Sequence, residues 1–101
     1  MSSASKTGIA WGECPAWNIY RAIYNDDSVF FIEAEVMKDA RFVAERMGNE
    51  ELFDIALTWT QAEILAGKNN IKLEKGDEGD VITFTWFGVT ESHDLYNEAS
   101  I

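Results

Sequence analysis

Apolar and polar side chains alternate along two stretches of this chain, as they do in strands with one buried face. In residues 17–36, two aromatic and β-branched runs flank the turn-forming sequence Asn-Asp-Asp-Ser at residues 25–28. In residues 71–88, two alternating runs flank an acidic turn that contains two glycines. We therefore predict one β-hairpin over residues 17–36 and another over residues 71–88.

Between these hairpins, apolar residues recur at the three- and four-residue spacing of a helix. Residues 38–47 place Ala40, Val43, Ala44 and Met47 on one side. Residues 49–67 begin with a capping Asn, end with Gly, and are apolar around most of a helical circumference, which indicates a buried helix. The prediction is an α+β fold, in which a small antiparallel sheet from the two hairpins packs on two helices.

A second interpretation of the first hairpin stays open at this point. Val29, Ile32 and Val36 are also spaced by three and four residues, and this stripe continues into the helix predicted after them. With Ser28 as its cap, one long helix could therefore run as far as Gly48.

The 101 residues predict one domain with unstructured ends. We assign residues 1–13 to a flexible N-terminal arm, residues 14–90 to the domain, and residues 91–101 to a polar C-terminal tail. The start of the chain has no apolar run of a signal peptide, and no stretch is long enough to span a membrane. Together with a single cysteine, this favours a cytoplasmic protein, in the host cytoplasm if a phage encodes it.

The net charge of −10 narrows the choice of partner. Nucleic acids and anionic membranes are polyanions, so the charge disfavours both as direct partners. It favours a basic protein, although acidic charge also serves solubility alone.

Catalytic and metal-binding patterns are absent from the sequence. The chain has one histidine, His93, and one cysteine, Cys14, and neither lies in a recognisable catalytic motif. The acidic turn at residues 76–80 lacks the length and ligand spacing of an EF-hand loop. We therefore expect no enzymatic activity, no cofactor and no metal site.

Carboxylates held on regular structure, with aromatic side chains beside them, are the candidate binding residues. The alternation predicts Phe31 and Phe87 on faces away from the core, and rigid carboxylates there would resemble the charge density of a nucleic-acid backbone. The predicted partner-binding set is Asp26, Asp27, Phe31, Glu33, Glu35, Glu74, Asp77, Glu78, Asp80 and Phe87.

This combination of small size, acidic charge and aromatic content resembles small phage-encoded inhibitors, including anti-CRISPR proteins and nucleic-acid mimics. The resemblance is one of size and composition, and it assigns no residue a role. It implies a non-enzymatic inhibitor that occupies the basic nucleic-acid-binding surface of a protein or ribonucleoprotein complex. The alternative is a small structural or assembly protein that self-associates, and a small enzyme or ligand-binding domain is a third possibility.

Overall fold

The computed structural model describes residues 18–75 and 79–97, which form an α+β domain dominated by a mixed six-stranded sheet. The α+β class predicted from the sequence is thus confirmed. In chain order the elements are β1 (Asn18–Tyr24), β2 (Val29–Ala34), α1 (Met37–Met47), β3 (Leu52–Trp59), α2 (Gln61–Leu65), a 3-10 turn (Lys68–Asn70), β4 (Lys72–Lys75), β5 (Asp80–Trp86) and β6 (Val89–Asn97).

The strands are ordered β3-β1-β2-β6-β5-β4 across the sheet. The β1 and β2 strands pair antiparallel, so this part of the chain adopts strands and not the long helix that the sequence left open. The β4 and β5 strands also pair antiparallel, within the second predicted hairpin. The two hairpins do not meet directly, because β6 lies between them, parallel to β2 and antiparallel to β5.

The helix predicted over residues 49–67 is wrong, since this stretch contains β3 followed by the short helix α2. The reason lies at Thr60, which caps α2 with a capping box. The Thr60 hydroxyl accepts a hydrogen bond from the Glu63 backbone N–H at 3.2 Å, and Glu63 Oε1 accepts one from the Thr60 N–H at 2.8 Å. Helix therefore begins at residue 61, and the preceding apolar run is left to pair as an edge strand with β1.

The polar tail predicted over residues 91–101 is also corrected, because residues up to Asn97 belong to β6 inside the sheet. Leu95 is buried opposite Phe31 of β2, and Tyr96 packs on the face of the sheet that α1 covers, which we call the first face. Ser92 and Asp94 are polar because the face of the β5–β6 pair that carries them lies at the surface. On that face, hydroxyls pair across the strands, Thr83 with Ser92 at 2.9 Å and Thr85 with Thr90 at 3.1 Å. The arm predicted over residues 1–13 lies outside the described residues.

The α1 helix covers the first face of the sheet, and its residues agree with the helix predicted over 38–47. Ala40, Val43 and Ala44 are fully buried, and their small size lets the helix approach the sheet closely. Tyr24 anchors the contact, because its hydroxyl donates a hydrogen bond to the Ala44 carbonyl oxygen at 2.6 Å. The strand residues beneath the helix are Tyr20, Ala22, Tyr24, Ile32, Ala34 and Ile55.

Gly48 ends α1 directly against the ring of Tyr24, and a Cβ built there would overlap that ring. We expect Gly48→Ala to lower the free energy of unfolding by about 2 kcal/mol, since the ring cannot move without losing its bond to Ala44. Urea unfolding measures the change. A Gly48→Ala variant as stable as the wild type would show that the ring position is not fixed.

Burial, and after it the nearby charge of Tyr96, raises the pKa of Tyr24 above its ordinary value of 10.0. A raised pKa means that the neutral phenol is favoured in the folded state, so this stabilisation is complete below pH 10 and is lost as pH rises through the folded pKa. Tyr24→Phe should cost about 1–3 kcal/mol at pH 8, because the Ala44 carbonyl loses its partner. We expect this difference to shrink above pH 10, as measured by urea unfolding. A difference that stayed constant with pH would contradict the assignment.

Candidate partner-binding cleft

The face of the sheet opposite α1 carries a cluster of aromatic rings contributed by four different strands. Phe31 of β2 lies at its centre, with ring centroids 5.9 Å from Trp59, 5.6 Å from Phe84 and 4.8 Å from His93. The Trp59 and Phe84 centroids are 4.8 Å apart, and the His93 ring stacks on Phe84 at 5.7 Å. We call these four residues the aromatic cluster.

The aromatic cluster reveals how strongly the sheet curls. Trp59 is on β3 and Phe84 on β5, four strand spacings apart in the sheet order, which is about 19 Å in a flat sheet. Their rings nevertheless touch. With about 20–25° of twist at each strand, the sheet coils until its two sides approach over Phe31. This face is therefore concave.

The end of the β5–β6 hairpin, residues 84–91, forms a two-stranded extension that begins at Phe84. We call it the β-arm. Its register pairs are Phe84 with Glu91, Thr85 with Thr90 and Trp86 with Val89. The register of β4 with β5 and that of β2 with β6 both stop short of the β-arm, so no third described strand pairs with it. It is supported mainly by its own ladder and by the contacts of Phe84 with the aromatic cluster.

The tip of the β-arm is apolar and exposed. Phe87 is 91% exposed, Trp86 is 48% exposed, and Val89 is exposed beside them. Phe87 has a φ of 53° and Gly88 a φ of 83°, so both turn residues are left-handed. A turn of this kind favours Asn-Gly, and a bulky residue at its first position is strained. The rings of Trp86 and Phe87 meet edge to face at 5.4 Å.

A cleft of about 650 Å³ lies between the β-arm and β3, above the aromatic cluster. One wall comes from the β-arm and β6, the other from β3 and Arg21, and Glu63 of α2 also lines it. Its size and its aromatic lining with a few polar groups are typical of a binding site. Its lining includes Arg21, Trp59, Glu63, Phe84, Trp86 and Glu91.

His93 lies within this arrangement. It does not lie in a polar C-terminal tail, which is where the sequence had predicted it. Its Nε2 lies 3.1 Å from Glu91 Oε1, and its ring is held by Phe31 and Phe84. Cys14, the single cysteine of the sequence, lies outside the described residues.

Two predicted carboxylates, Asp26 and Asp27, are exposed at the β1–β2 turn. Asp26 Oδ1 accepts hydrogen bonds from the Ser28 hydroxyl at 2.6 Å and the Ser28 backbone N–H at 3.0 Å. These bonds, the hydroxyl first, lower the pKa of Asp26. Glu51 also lies at the β1–β2 turn, where it is held by two hydrogen bonds from Asn25. The Asn25 side chain donates to Glu51 Oε1 at 3.4 Å, and the Asn25 backbone N–H donates to the Glu51 carbonyl oxygen at 3.0 Å. The sequence does not point to Glu51, because this residue falls within the helix predicted over residues 49–67.

Phe31 and Glu33, predicted to face outward, are each only 4% exposed. The alternation was read correctly, but both faces of the sheet are covered at β2, so the second face is not a solvent face there. Phe31 is the centre of the aromatic cluster, and Glu33 pairs in register with Ile19 and Asn97. Glu35 is exposed and lies beyond the end of β2, so it does not continue the strand face with Glu33.

Glu74 and Asp80, the predicted carboxylates of the second hairpin that the structure describes, lie at the other end of the sheet. Because β5 runs antiparallel to β6, and β6 parallel to β2, the start of β5 and the start of β2 are at opposite ends of the sheet. Glu74 is exposed with Lys72 Nζ at 3.7 Å, and Asp80 is partly buried. Asp77 and Glu78 lie outside the described residues. The described members of the predicted set are therefore not gathered into one site.

Comparison with protein families, with curated proteins and with solved structures finds no match to this chain. Within residues 18–75 and 79–97, no helix is long and apolar enough to cross a membrane. The same residues contain no group of three His, Cys, Asp or Glu side chains placed to hold a metal ion.

The strain at the tip of the β-arm predicts that Phe87→Asn stabilises the protein. Asn tolerates the left-handed conformation, and its relief should exceed the loss of one exposed ring contact, for a net gain of about 0.5–1 kcal/mol. This corresponds to a rise of about 4 °C in Tm for a domain of this size. Differential scanning calorimetry measures it.

Gly88→Ala is the matched control, since it adds strain at the neighbouring turn position without any steric contact. It should lower the Tm. A Phe87→Asn variant with an unchanged or reduced Tm would mean that Phe87 is not strained.

Proposed function

We propose that this protein is a non-enzymatic interaction protein that binds the basic nucleic-acid-binding surface of a partner and thereby excludes nucleic acid. The observation that carries the proposal is the β-arm, which presents Trp86, Phe87 and Val89 to solvent at the tip of a strained turn. Exposed contiguous apolar side chains are typical of protein–protein contacts. Aromatic anchors surrounded by polar residues supply most of the binding energy in such contacts.

The net charge of −10 supports a basic partner. Long-range attraction would raise the association rate, and the apolar tip would slow dissociation. Exposed carboxylates are spread over the domain, with Asp26, Asp27 and Glu51 together at the β1–β2 turn. The proposed partner is a nuclease, a repressor or a ribonucleoprotein effector in the cytoplasm, as for phage-encoded anti-defence inhibitors of the anti-CRISPR type.

The proposal assigns no catalytic residue. His93 is held between two rings and bonded to Glu91, which makes it part of the wall of the cleft. Binding alone accounts for the features of this face.

Self-association is a second candidate, and the edge strand β3 favours it. One side of β3 has no neighbour in the described sheet, and Phe53 and Leu57 on this strand are exposed, Phe53 by 73%. Exposed apolar edge strands pair readily with a second copy. Sedimentation across a range of protein concentrations distinguishes a dimer from a monomer.

The first experiment is capture of partners from bacterial lysate by the tagged full chain. Bound proteins are eluted by stepped salt and, in parallel, by DNA or RNA, and then identified by mass spectrometry. We expect a nucleic-acid-binding protein or complex that nucleic acid displaces. Phe87→Asn should weaken its capture by about tenfold, the effect of losing one interface hot spot.

Phe87→Asn suits this test because it is expected to fold at least as well as the wild type. Phe53→Asn is the matched control, since it removes another exposed ring, 73% exposed, on a different strand, and it should leave capture unchanged. Capture that nucleic acid does not displace would contradict the proposal, and recovery of the protein alone would favour self-association.

A further inference from the structure

We infer that the cleft between the β-arm and β3 binds an arginine side chain carried by an extended basic segment of the partner. This inference rests on the proposed function and adds to it the site and the chemical group recognised. It is carried by the coincidence of aromatic surfaces and carboxylates in one cavity.

The aromatic walls suit a flat cation. Trp86 on the β-arm is about half exposed and contributes an accessible ring, whereas Trp59 and Phe84 are buried rings that line the base of the cleft. A guanidinium stacks on such ring faces, held by electrostatic attraction and planar contact. The same molecule already contains this contact, because the Arg46 guanidinium carbon lies 3.8 Å from the centre of the Phe42 ring.

The charged lining favours a cation over an anion. Glu63 and Glu91 contribute carboxylates, Arg21 contributes one positive charge, and the domain as a whole is strongly negative. One oxygen of each carboxylate is bonded, Glu63 Oε1 to the Thr60 N–H and Glu91 Oε1 to His93. A carboxylate accepts about four hydrogen bonds. Each therefore retains capacity for a guanidinium while its existing bond holds it in place.

Arginine fits this site better than lysine. Its planar fork can stack on a ring and donate to a carboxylate at the same time, whereas an ammonium is a compact, strongly hydrated charge. Basic nucleic-acid-binding surfaces present arginines for the recognition of phosphates and bases. When one such arginine occupies the cleft, it is no longer available to bind nucleic acid.

The test is titration of the full chain with octa-arginine and, separately, octa-lysine peptides at low salt, followed by tryptophan fluorescence and calorimetry. We expect octa-arginine to bind at least about fivefold more tightly, a difference of roughly 1 kcal/mol. Trp86→Leu should weaken octa-arginine binding by about tenfold. Phe53→Leu, which changes an exposed ring on β3, should leave it unchanged.

The carboxylates allow a control matched in charge. Glu91→Gln in the cleft and Glu45→Gln on the exposed side of α1 change the net charge equally, so any general attraction falls by the same amount. We expect Glu91→Gln to weaken octa-arginine binding by about threefold to fivefold relative to Glu45→Gln.

Equal effects of Glu91→Gln and Glu45→Gln, with no effect of Trp86→Leu, would overturn the cleft as the site. Equal affinity for the two peptides would overturn the preference for arginine. In both cases the proposed binding of a basic partner would stand. Failure of the wild type to bind either peptide at low salt would instead count against the proposed function itself.

Discussion

The structure depends on the parallel pairing of β2 with β6. Three register pairs, Phe31 with Leu95, Ile32 with Tyr96 and Glu33 with Asn97, join one three-stranded half of the sheet to the other. Their side chains serve both faces, since Ile32 and Tyr96 lie on the α1 side and Phe31 and Leu95 on the aromatic side. The pairing therefore unites two cores as well as two half-sheets.

The concave face follows from this pairing. Once β6 lies beside β2, β5 is carried round far enough for Phe84 to reach Trp59 across Phe31. The rings of the aromatic cluster pack together where the sheet curls most. The β-arm extends past this cluster. The cleft is thus a consequence of how β6 inserts beside a distant strand, and no local segment contains it.

Local patterns predicted the elements that local interactions determine. Alternation with a turn sequence identified the β1–β2 hairpin, and the small residues Ala40 and Ala44 identified the buried side of α1. The pattern failed where pairing with a distant strand overrides helical spacing, as at β3, although the capping box at Thr60 and Glu63 was present in the sequence. It failed again at β6, whose outward residues are polar and whose partners lie far away in the chain.

The candidate site likewise combines residues whose environment the local sequence predicts with residues whose environment depends on distant strands. The exposure of Phe87 could be predicted, since it depends only on alternation and a turn, whereas the burial of Phe31 could not, because it depends on four strands meeting. Phe87 is also where local preference and the fold disagree most, since an aromatic residue holds a left-handed position that suits Asn. Packing within the domain gives little compensation, because the ring is almost fully exposed apart from its contact with Trp86. A contact outside the described domain is the simplest compensation for that strain, and it is the physical reason for regarding the β-arm as a binding element.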